Sequence, residues 1–203
     1  MLLKQINILV IVMICFVFGA RPFGTDDAGT VASGAYELET EFDFWEEQGV
    51  LGLGFKHGIT EKMDIGIGFG FNVFSEPKNQ FAPSEFGLKW AIVPELFATS
   101  FTAEIGGSSY HLNTIFTRCF GPLEIDANLG FVTGDTSVTY AGAIIYNANN
   151  LAIGGEVCGD KESQSWLFGG RYGIAEGFAI DAGFNSDFKF EERIVTAGIH
   201  YEF

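Results

Sequence analysis

Apolar and polar side chains alternate strictly along one stretch of the chain, from Met63 to Val73. The apolar positions are Met63, Ile65, Ile67, Phe69, Phe71 and Val73, and between them lie Asp64, Gly66, Gly68, Gly70 and Asn72. A period of two places these two sets on opposite faces of a β-strand, whereas a helical face repeats about every 3.6 residues. The stretch is therefore predicted to be a strand with one apolar and one polar face.

The same alternation returns at short intervals along the chain. It predicts 12 antiparallel strands of about 9–11 residues, the length that crosses a bilayer at the tilt of a barrel. An even number also returns the chain to the side from which it started. The alternating stretches are Tyr36–Phe44, Leu51–Lys56, Met63–Val73, Glu85–Ile92, Phe97–Ile105, Tyr110–Thr117, Leu123–Phe131, Val138–Tyr146, Leu151–Val157, Trp166–Ile174, Phe178–Asn185 and Val195–Phe203.

The connections between these stretches alternate between short turns and longer loops. Val93–Glu95, Gly121–Pro122 and Ala175–Gly177 are short, whereas Phe74–Ser84 and Gly159–Ser165 are longer. Outer-membrane barrels have short turns in the periplasm and longer loops outside the cell. We expect an all-β fold, a closed antiparallel transmembrane β-barrel of about 12 strands in an up-and-down meander.

Composition separates this barrel from a soluble β-sandwich, which also has many alternating strands. The 203 residues include 22 Phe and 27 Gly, 47% are hydrophobic, and the net charge is −15. A sandwich buries its apolar face between two sheets and does not need aromatic side chains on nearly every strand. In a membrane barrel the aromatic side chains face lipid, and acids line the interior and the loops.

The start of the chain has the features of a secretory signal peptide. Lys4 supplies a positive charge, Ile8–Phe18 is apolar, and Gly19 and Ala20 are small residues suited to cleavage. A membrane anchor is the alternative, but the apolar run is shorter than the roughly 20 residues that a spanning helix needs. We expect a signal peptide at 1–20, a periplasmic N-terminal segment at 21–33 and an outer-membrane barrel at 34–203.

The end of the chain resembles the C-terminal signature of bacterial outer-membrane proteins. Phe203 is the last residue, and Tyr201 and Ile199 precede it at every second position. The resemblance implies that these three residues are recognised by the barrel-assembly machinery. An ordinary last strand that ends in Phe is the alternative.

A second resemblance involves residues 21–31 and 34–39, with Thr25, Asp26 and Asp27 at their centre, and the turn at 58–64. These stretches are similar to a family of outer-membrane transporters associated with the meta-cleavage pathway of phenol degradation. The likeness is strongest in the first third of the chain. Membership would imply passive import of small molecules and implies no reaction.

The inward face of the predicted strands carries most of the charged side chains. About 8 strands give an interior that side chains fill, and roughly 16–18 leave an open channel, so the lining decides for 12. Many inward positions are glycine or alanine, which indicates either space for solute or relief of curvature. The charged and histidine positions predicted to line the lumen are Glu37, Glu39, Glu41, Asp43, Lys56, Asp64, Glu85, Lys89, Glu104, Asp126, Glu156, Arg171, Asp181 and His200.

Hairpin pairing predicts two charged clusters near the periplasmic end. Counting from the turn at Thr60 sets Lys56 opposite Asp64, and Glu39 can face Lys56 from the neighbouring strand. The last strands bring Arg171, Asp181 and His200 together in the same way. Such clusters either brace adjacent strands or form a constriction that favours cationic and neutral solutes over anions.

Thr25, Asp26 and Asp27 precede the first strand. Asp and Thr side chains readily form local turns with the backbone, which is one interpretation of this motif. The other is that the segment folds into the periplasmic mouth and partly plugs it.

Some small outer-membrane barrels modify lipids, which makes catalysis an alternative function. His111 lies near Ser109 at the outer rim, but a triad is recognised by geometry and not by proximity in sequence. No metal or phosphate motif is present, so no cofactor is predicted. The negative charge argues against nucleic acid. We expect no enzyme.

The chain is thus expected to be a channel or facilitator for small solutes in the bacterial outer membrane, with an acidic, glycine-lined lumen. A non-conducting structural barrel is the main alternative, and a lipid-modifying enzyme follows. The expected partners are outer-membrane lipid and lipopolysaccharide, the assembly machinery during biogenesis, and small solutes.

Overall fold

The computed structural model describes residues 22–46, 48–74, 81–134 and 136–203. The predicted signal peptide, and Arg21 of the N-terminal segment, lie outside these residues. The described chain forms a closed barrel in which each strand pairs with its neighbours in sequence and β1 pairs with β12. The strands are β1 Tyr36–Trp45, β2 Gln48–Thr60, β3 Met63–Asn72, β4 Glu85–Val93, β5 Phe97–Glu104, β6 Tyr110–Phe120, β7 Leu123–Val132, β8 Ser137–Ala148, β9 Leu151–Gly159, β10 Gln164–Ala175, β11 Phe178–Asp187 and β12 Arg193–Glu202.

This architecture confirms the predicted all-β antiparallel barrel of 12 strands in an up-and-down meander. The alternation that predicted each strand is visible in its exposure. In β3 the Asp64 side chain is 2% exposed, whereas Phe69 on the opposite face is 42% exposed. No helix among the described residues is long and apolar enough to cross a membrane.

The two ends of the barrel differ. The end that holds the start of β1 and the end of β12 is called the terminal end, and the opposite one the far end. Connections at the terminal end are tight, and Gly121 and Gly177 adopt positive φ angles of 62° and 70° there. A Cβ at Gly177 would overlap the carbonyl oxygen of Glu202, so this turn requires glycine.

Aromatic side chains surround the barrel at both ends. At the terminal end the ring of Phe203 stacks on Tyr36 and Tyr201, with centroids 5.8 Å and 5.1 Å away. At the far end the ring centroids of Trp166 and Phe190 lie 5.5 Å apart. Aromatic girdles of this kind flank the apolar band of a membrane barrel, where amphipathic rings meet the headgroups.

Candidate solute pathway

The charged side chains that sequence parity assigned to the lumen lie on the inner face of the wall. Four of them, Glu85, Glu104, Arg171 and His200, are half-buried. The others are buried, and they are Glu37, Glu39, Glu41, Asp43, Lys56, Asp64, Lys89, Asp126, Glu156 and Asp181.

Residues 22–31 of the N-terminal segment lie inside the barrel, and the exposed residues Ala32 and Ser33 lead back to its wall. The segment enters beside β10, where its Phe23 packs in a buried apolar cluster with Ala143, Ile145 and Leu167. Two wall glycines leave room for it. A Cβ at Gly154 would lie 3.0 Å from the Phe23 ring, and one at Gly169 would lie 2.7 Å from Pro22. Phe23 is 2% exposed, so it anchors the segment as a core residue.

The middle of the segment is held by polar side chains of three strands. The backbone N–H and the hydroxyl of Thr25 both donate to Glu156, at 2.5 Å each. Asp26 exchanges two backbone hydrogen bonds with the amide of Asn128, both 2.8 Å long. The Asp26 carboxylate also forms an ion pair with Lys89, whose Nζ lies 2.7 Å away. These contacts fix the backbone across the lumen from β9 to β7 and β4.

The end of the segment returns to the wall on the other side. The Ala28 N–H donates to the hydroxyl of Thr117 at 2.8 Å, and the Val31 N–H donates to Asp64 at 3.0 Å. Ala28 packs against Ala98 and Ile115, which are fully buried. Ser33 then bridges to Gly58 on β2. The segment therefore contacts every strand from β2 to β10.

Both interpretations of the Thr25–Asp27 motif describe part of what is seen. The Asp27 carboxylate accepts the N–H of Gly29 at 2.6 Å, which is the local turn typical of Asp. Thr25 and Asp26 instead bond to the wall, and their residues cross the lumen.

The segment separates two cavities. The larger, called the far cavity, has a volume of about 520 Å³, opens at the far end and reaches Gly24 and Asp26. The smaller, called the terminal cavity, has about 140 Å³ and is lined by residues including Asp26, Lys89 and His200. Asp26 lines both cavities, so the segment forms the floor between them.

Four side chains of the terminal cavity form a cluster, namely Glu37, Glu39, Lys56 and His200. The Lys56 ammonium lies 2.6 Å from Glu37 and 3.0 Å from Glu39. The two nitrogens of His200 lie 3.7 Å and 3.5 Å from the same carboxylates. The ammonium offsets the repulsion that two adjacent buried carboxylates would otherwise suffer.

The predicted composition of the charged clusters was partly wrong, because the strand registers differ from simple counting. Thr60 pairs with Met63, so the β2–β3 turn is centred on Glu61 and Lys62 instead of Thr60, and Lys56 faces Gly66 while Gly58 faces Asp64. Across β1 and β2, Lys56 pairs with Glu37, although its ammonium also reaches Glu39.

The predicted neighbours of His200 need the same correction. Arg171 does face Asp181 in the register of β10 and β11. His200, however, pairs with Ala179 on β11 and with Glu39 on β1. It therefore joins the two glutamates instead of Asp181.

Glu37, Glu39 and His200 also satisfy the distance criterion for a metal site. Their ligand atoms lie within 4.8 Å of one another. The ammonium of Lys56 already lies between the carboxylates, so the charge that a metal ion would supply is present.

Acidic side chains dominate the rim of the far cavity. The rim residues include two lysines, Lys161 and Lys189, and the carboxylates of Asp160, Glu162, Asp187, Glu191 and Glu192. Partial burial raises the pKa of Glu192, and the nearby charges of Asp187 and Glu191 raise this pKa further. The entrance is thus negative overall.

Sequence reasoning passed over three apolar residues that anchor the segment, namely Ile115, Ile145 and Leu167. All three have the parity of the inner face, and they are 0%, 5% and 6% exposed. Large apolar side chains on a face that is otherwise small and polar are the signal of a partner inside the lumen. The inward glycines at 154 and 169 now have a third explanation beyond open space and curvature, since the segment occupies the room they leave.

The histidine weighed for catalysis has a different neighbour. His111 Nε2 lies 3.3 Å from the hydroxyl of Thr139 on β8. A Cβ at Gly130, between them, would overlap both groups. His111 is part of the far-cavity wall together with Thr139.

The chain matches no described protein family, and no curated protein matches it. Among solved structures, it is similar to the KdgM porin at 12% identity and a TM-score of 0.66, over 82% of this chain and 99% of that one. It is also similar to the outer-membrane protein Omp33 of Acinetobacter baumannii, at 8% identity and a TM-score of 0.56, over 86% of this chain and 100% of that one.

An enzyme shares the architecture as well. Outer membrane phospholipase A of Escherichia coli is 12% identical, with a TM-score of 0.50, over 90% of this chain and 93% of that one. At these identities the likenesses show the fold, an outer-membrane type of β-barrel. Function has to be argued from the site.

Proposed function

We propose that this barrel is a channel of the bacterial outer membrane for the passive passage of small solutes, with its terminal end in the periplasm. One observation carries the proposal, namely that the far cavity of about 520 Å³ runs from the far end down to the N-terminal segment. A barrel whose only role was structural would have no need for an interior cavity of that size. Short turns at the terminal end support the orientation.

The N-terminal segment sets the narrowest part of this pathway. It lies between the far cavity and the terminal cavity, and residue Asp26 borders both. A solute that crosses the membrane must pass beside the segment or displace part of it. We therefore expect a low conductance that rises when the anchors of the segment are weakened.

The same segment favours a second candidate, a non-conducting envelope barrel. Buried anchors such as Phe23 and the Lys89–Asp26 ion pair hold it across the lumen. If these contacts never break, the two cavities stay separate and the barrel has only a structural role in the envelope. Conductance distinguishes the two candidates.

We propose that the pathway favours cationic and neutral solutes. Glu37, Glu39, Glu41 and Asp43 form a row on the inner face of β1, and the rim of the far cavity is also acidic. Rings of carboxylates select cations in channels. Replacing Glu39 and Glu41 by Gln should reduce the cation-to-anion permeability ratio.

The resemblance of residues 21–39 to transporters associated with phenol meta-cleavage makes phenol one solute to test. The proposal assigns no catalysis, since His111 contacts Thr139 and its ring is not joined to Ser109 by any contact of the described residues. Membrane lipid, lipopolysaccharide and the assembly machinery remain the proposed partners.

The test is single-channel conductance of the refolded protein in a planar bilayer, with Phe23→Ala as the variant. Removing the Phe23 ring leaves a void in the cluster that anchors the segment. Small cation-selective steps are expected for the native chain, and steps several-fold larger for the variant. Phe101→Ala is the matched control, because Phe101 is 38% exposed on the outer face of β5.

The control should conduct as the native chain does. Absence of conductance from both the native barrel and Phe23→Ala, with folding shown by circular dichroism, would contradict the channel and leave the structural barrel.

A further inference from the structure

The wall of the far cavity carries a set of uncharged side chains that both donate and accept hydrogen bonds. Between the floor and the rim, these are Ser100, Thr102, Asn113, Thr139 and Asn185. A hydroxyl or an amide can bond to a partner of either kind, so such a wall suits a ligand whose own groups are also hydroxyls. Between floor and rim, the far cavity therefore offers uncharged hydrogen-bonding groups beside apolar side chains such as Val132 and Ile194.

Several of these groups come from neighbouring strands and meet on one side of the wall. Thr102 on β5 faces His111 on β6 in the register of the sheet. His111 in turn lies 3.3 Å from the hydroxyl of Thr139, across Gly130. Deeper in the cavity, the amide of Asn113 donates to Asn128 at 3.4 Å, and Asn128 holds the floor at Asp26. A continuous polar surface thus runs from the middle of the wall to the floor.

The size of the far cavity limits what can occupy it. Ligand sites in proteins usually have volumes of about 300–1,000 Å³, and this cavity of about 520 Å³ falls within that range. A monosaccharide or disaccharide fits in such a volume, whereas a longer oligosaccharide would have to extend beyond the rim.

The positions of the charges argue against an anionic ligand. At the floor, Asp26 borders the far cavity, and its carboxylate is already paired with Lys89. At the rim, carboxylates outnumber lysines, and Lys161 is already 3.8 Å from Glu162. A solute with carboxylates would therefore meet net negative charge where it enters the cavity. This differs from the KdgM porin, which has a structure in complex with oligogalacturonate.

The wall also argues against an apolar aromatic ligand. A hydrocarbon that displaced water from this surface would leave the hydroxyls and amides without hydrogen-bond partners, which costs free energy for each such group. A solute that carries several hydroxyls can replace each hydrogen bond that the wall makes to water with one to the solute.

We propose that the far cavity is a binding site for neutral polyhydroxylated solutes of monosaccharide to disaccharide size, contacted by Thr102, His111 and Thr139. This inference deepens the proposed function, on which it rests, by naming the class of solute that the channel admits. The site lies on the far side of the N-terminal segment, so binding precedes passage.

The test is equilibrium dialysis of radiolabelled ligand against the barrel in lipid nanodiscs. Sucrose is the neutral probe, digalacturonate the anionic probe and phenol the aromatic one. Saturable binding of sucrose is expected, with digalacturonate and phenol at least tenfold weaker. Removing two hydroxyls in Thr102→Val/Thr139→Val should weaken sucrose binding by about tenfold, since two hydrogen bonds to the solute are lost.

Thr114→Val is the matched control, because Thr114 is exposed on the outer face of β6. This control should bind sucrose as the native chain does. Absence of saturable sucrose binding, tighter binding of digalacturonate or phenol, or an equal loss in Thr114→Val would overturn the assignment.

The dialysis result does not depend on conductance. A barrel that binds sucrose but never conducts would overturn the proposed channel and support the binding site. A barrel that conducts without binding sucrose would support the channel and overturn the binding site.

Discussion

At the scale of single residues, the balance of charge in the terminal cavity depends on Lys56. Its ammonium lies within 3.0 Å of both Glu37 and Glu39, and its side chain is 10% exposed. Sequence parity was sufficient to place all three side chains on the inner face. It was not sufficient to pair them, because the register of β1 and β2 sets Lys56 opposite Glu37 and not opposite the predicted Glu39.

Lys56→Met should lower the free energy of unfolding by about 3 kcal/mol or more, the usual effect of removing one partner of a buried ion pair. The two glutamates and His200 would then be left with ligand atoms within 4.8 Å of one another, a donor set that suits Zn²⁺. Zinc should therefore restore stability to the variant and have little effect on the native chain. Urea unfolding in detergent, with and without Zn²⁺, measures both effects.

Lys161→Met is the control for that experiment. The Lys161–Glu162 pair spans 3.8 Å and its lysine side chain is 65% exposed, so the change should alter stability by less than about 1 kcal/mol. If Zn²⁺ changed the stability of the native chain as much as that of Lys56→Met, the ammonium of Lys56 would not occupy the position between Glu37 and Glu39.

At the scale of elements, the strands and the N-terminal segment differ in how well the sequence predicts them. Each strand carries its own alternating pattern, so all 12 could be predicted, with bounds within three residues of those observed except at β2, which extends four residues beyond the predicted Leu51–Lys56. The segment has no period of its own. Its position is determined by the wall, through inward residues such as Ile115 and Leu167 and through the glycines that leave it room. These residues indicate the path of the segment only once the barrel is assembled in three dimensions.

Gly58→Ala tests how closely the segment is held against β2. A Cβ at this position would overlap the carbonyl oxygens of Val31 and Ala32, which both belong to the segment. We expect the variant to release residues 26–31 from the wall, with faster hydrogen exchange of the Ala28 and Val31 amides and a larger conductance. Exchange measured by mass spectrometry on the folded barrel provides the readout.

Gly142→Ala is the matched control, since a Cβ there would meet its nearest atom at 3.8 Å. Its exchange and conductance should equal those of the native chain. Unchanged exchange of the segment in Gly58→Ala would show that this contact does not hold it in place.

At the scale of the whole molecule, closure joins the first strand to the last. The Phe203 N–H donates to the carbonyl of Tyr36 at 2.9 Å, and the Tyr36 N–H donates to the carbonyl of Phe203 at 2.8 Å. The closed 12-strand topology followed from the even count of strands and their lengths. The path through the interior did not, because it depends on contacts between residues that are about a hundred positions apart.

Phe203→Ala separates recognition by the assembly machinery from stability of the closed barrel. The aromatic contacts of Phe203 are worth about 0.5–1.5 kcal/mol each, a loss that a closed barrel tolerates. We therefore expect much less assembled protein in the outer membrane of cells but near-normal refolding in detergent. Heat-modifiable migration on gels reports assembly in both settings.

Phe178→Ala is the control for Phe203→Ala. The ring centroids of Phe178 and Tyr201 lie 6.1 Å apart, and Phe178 does not belong to the C-terminal signature. It should assemble in cells at close to the native level. Equal losses in the two variants would mean that aromatic packing, and not the signature, governs assembly.

The N-terminal segment also has a consequence for the fidelity of strand pairing. It bonds to inward side chains of β3, β6, β7 and β9 at sequence separations of 33, 89, 102 and 131 residues. A slip of one residue in a strand turns its whole inward set towards the lipid. A slipped β7, for example, would present Leu129 where Asn128 should meet Asp26. Docking of the segment thus stabilises only the correctly aligned barrel. The segment therefore disfavours barrels in which a strand is misaligned.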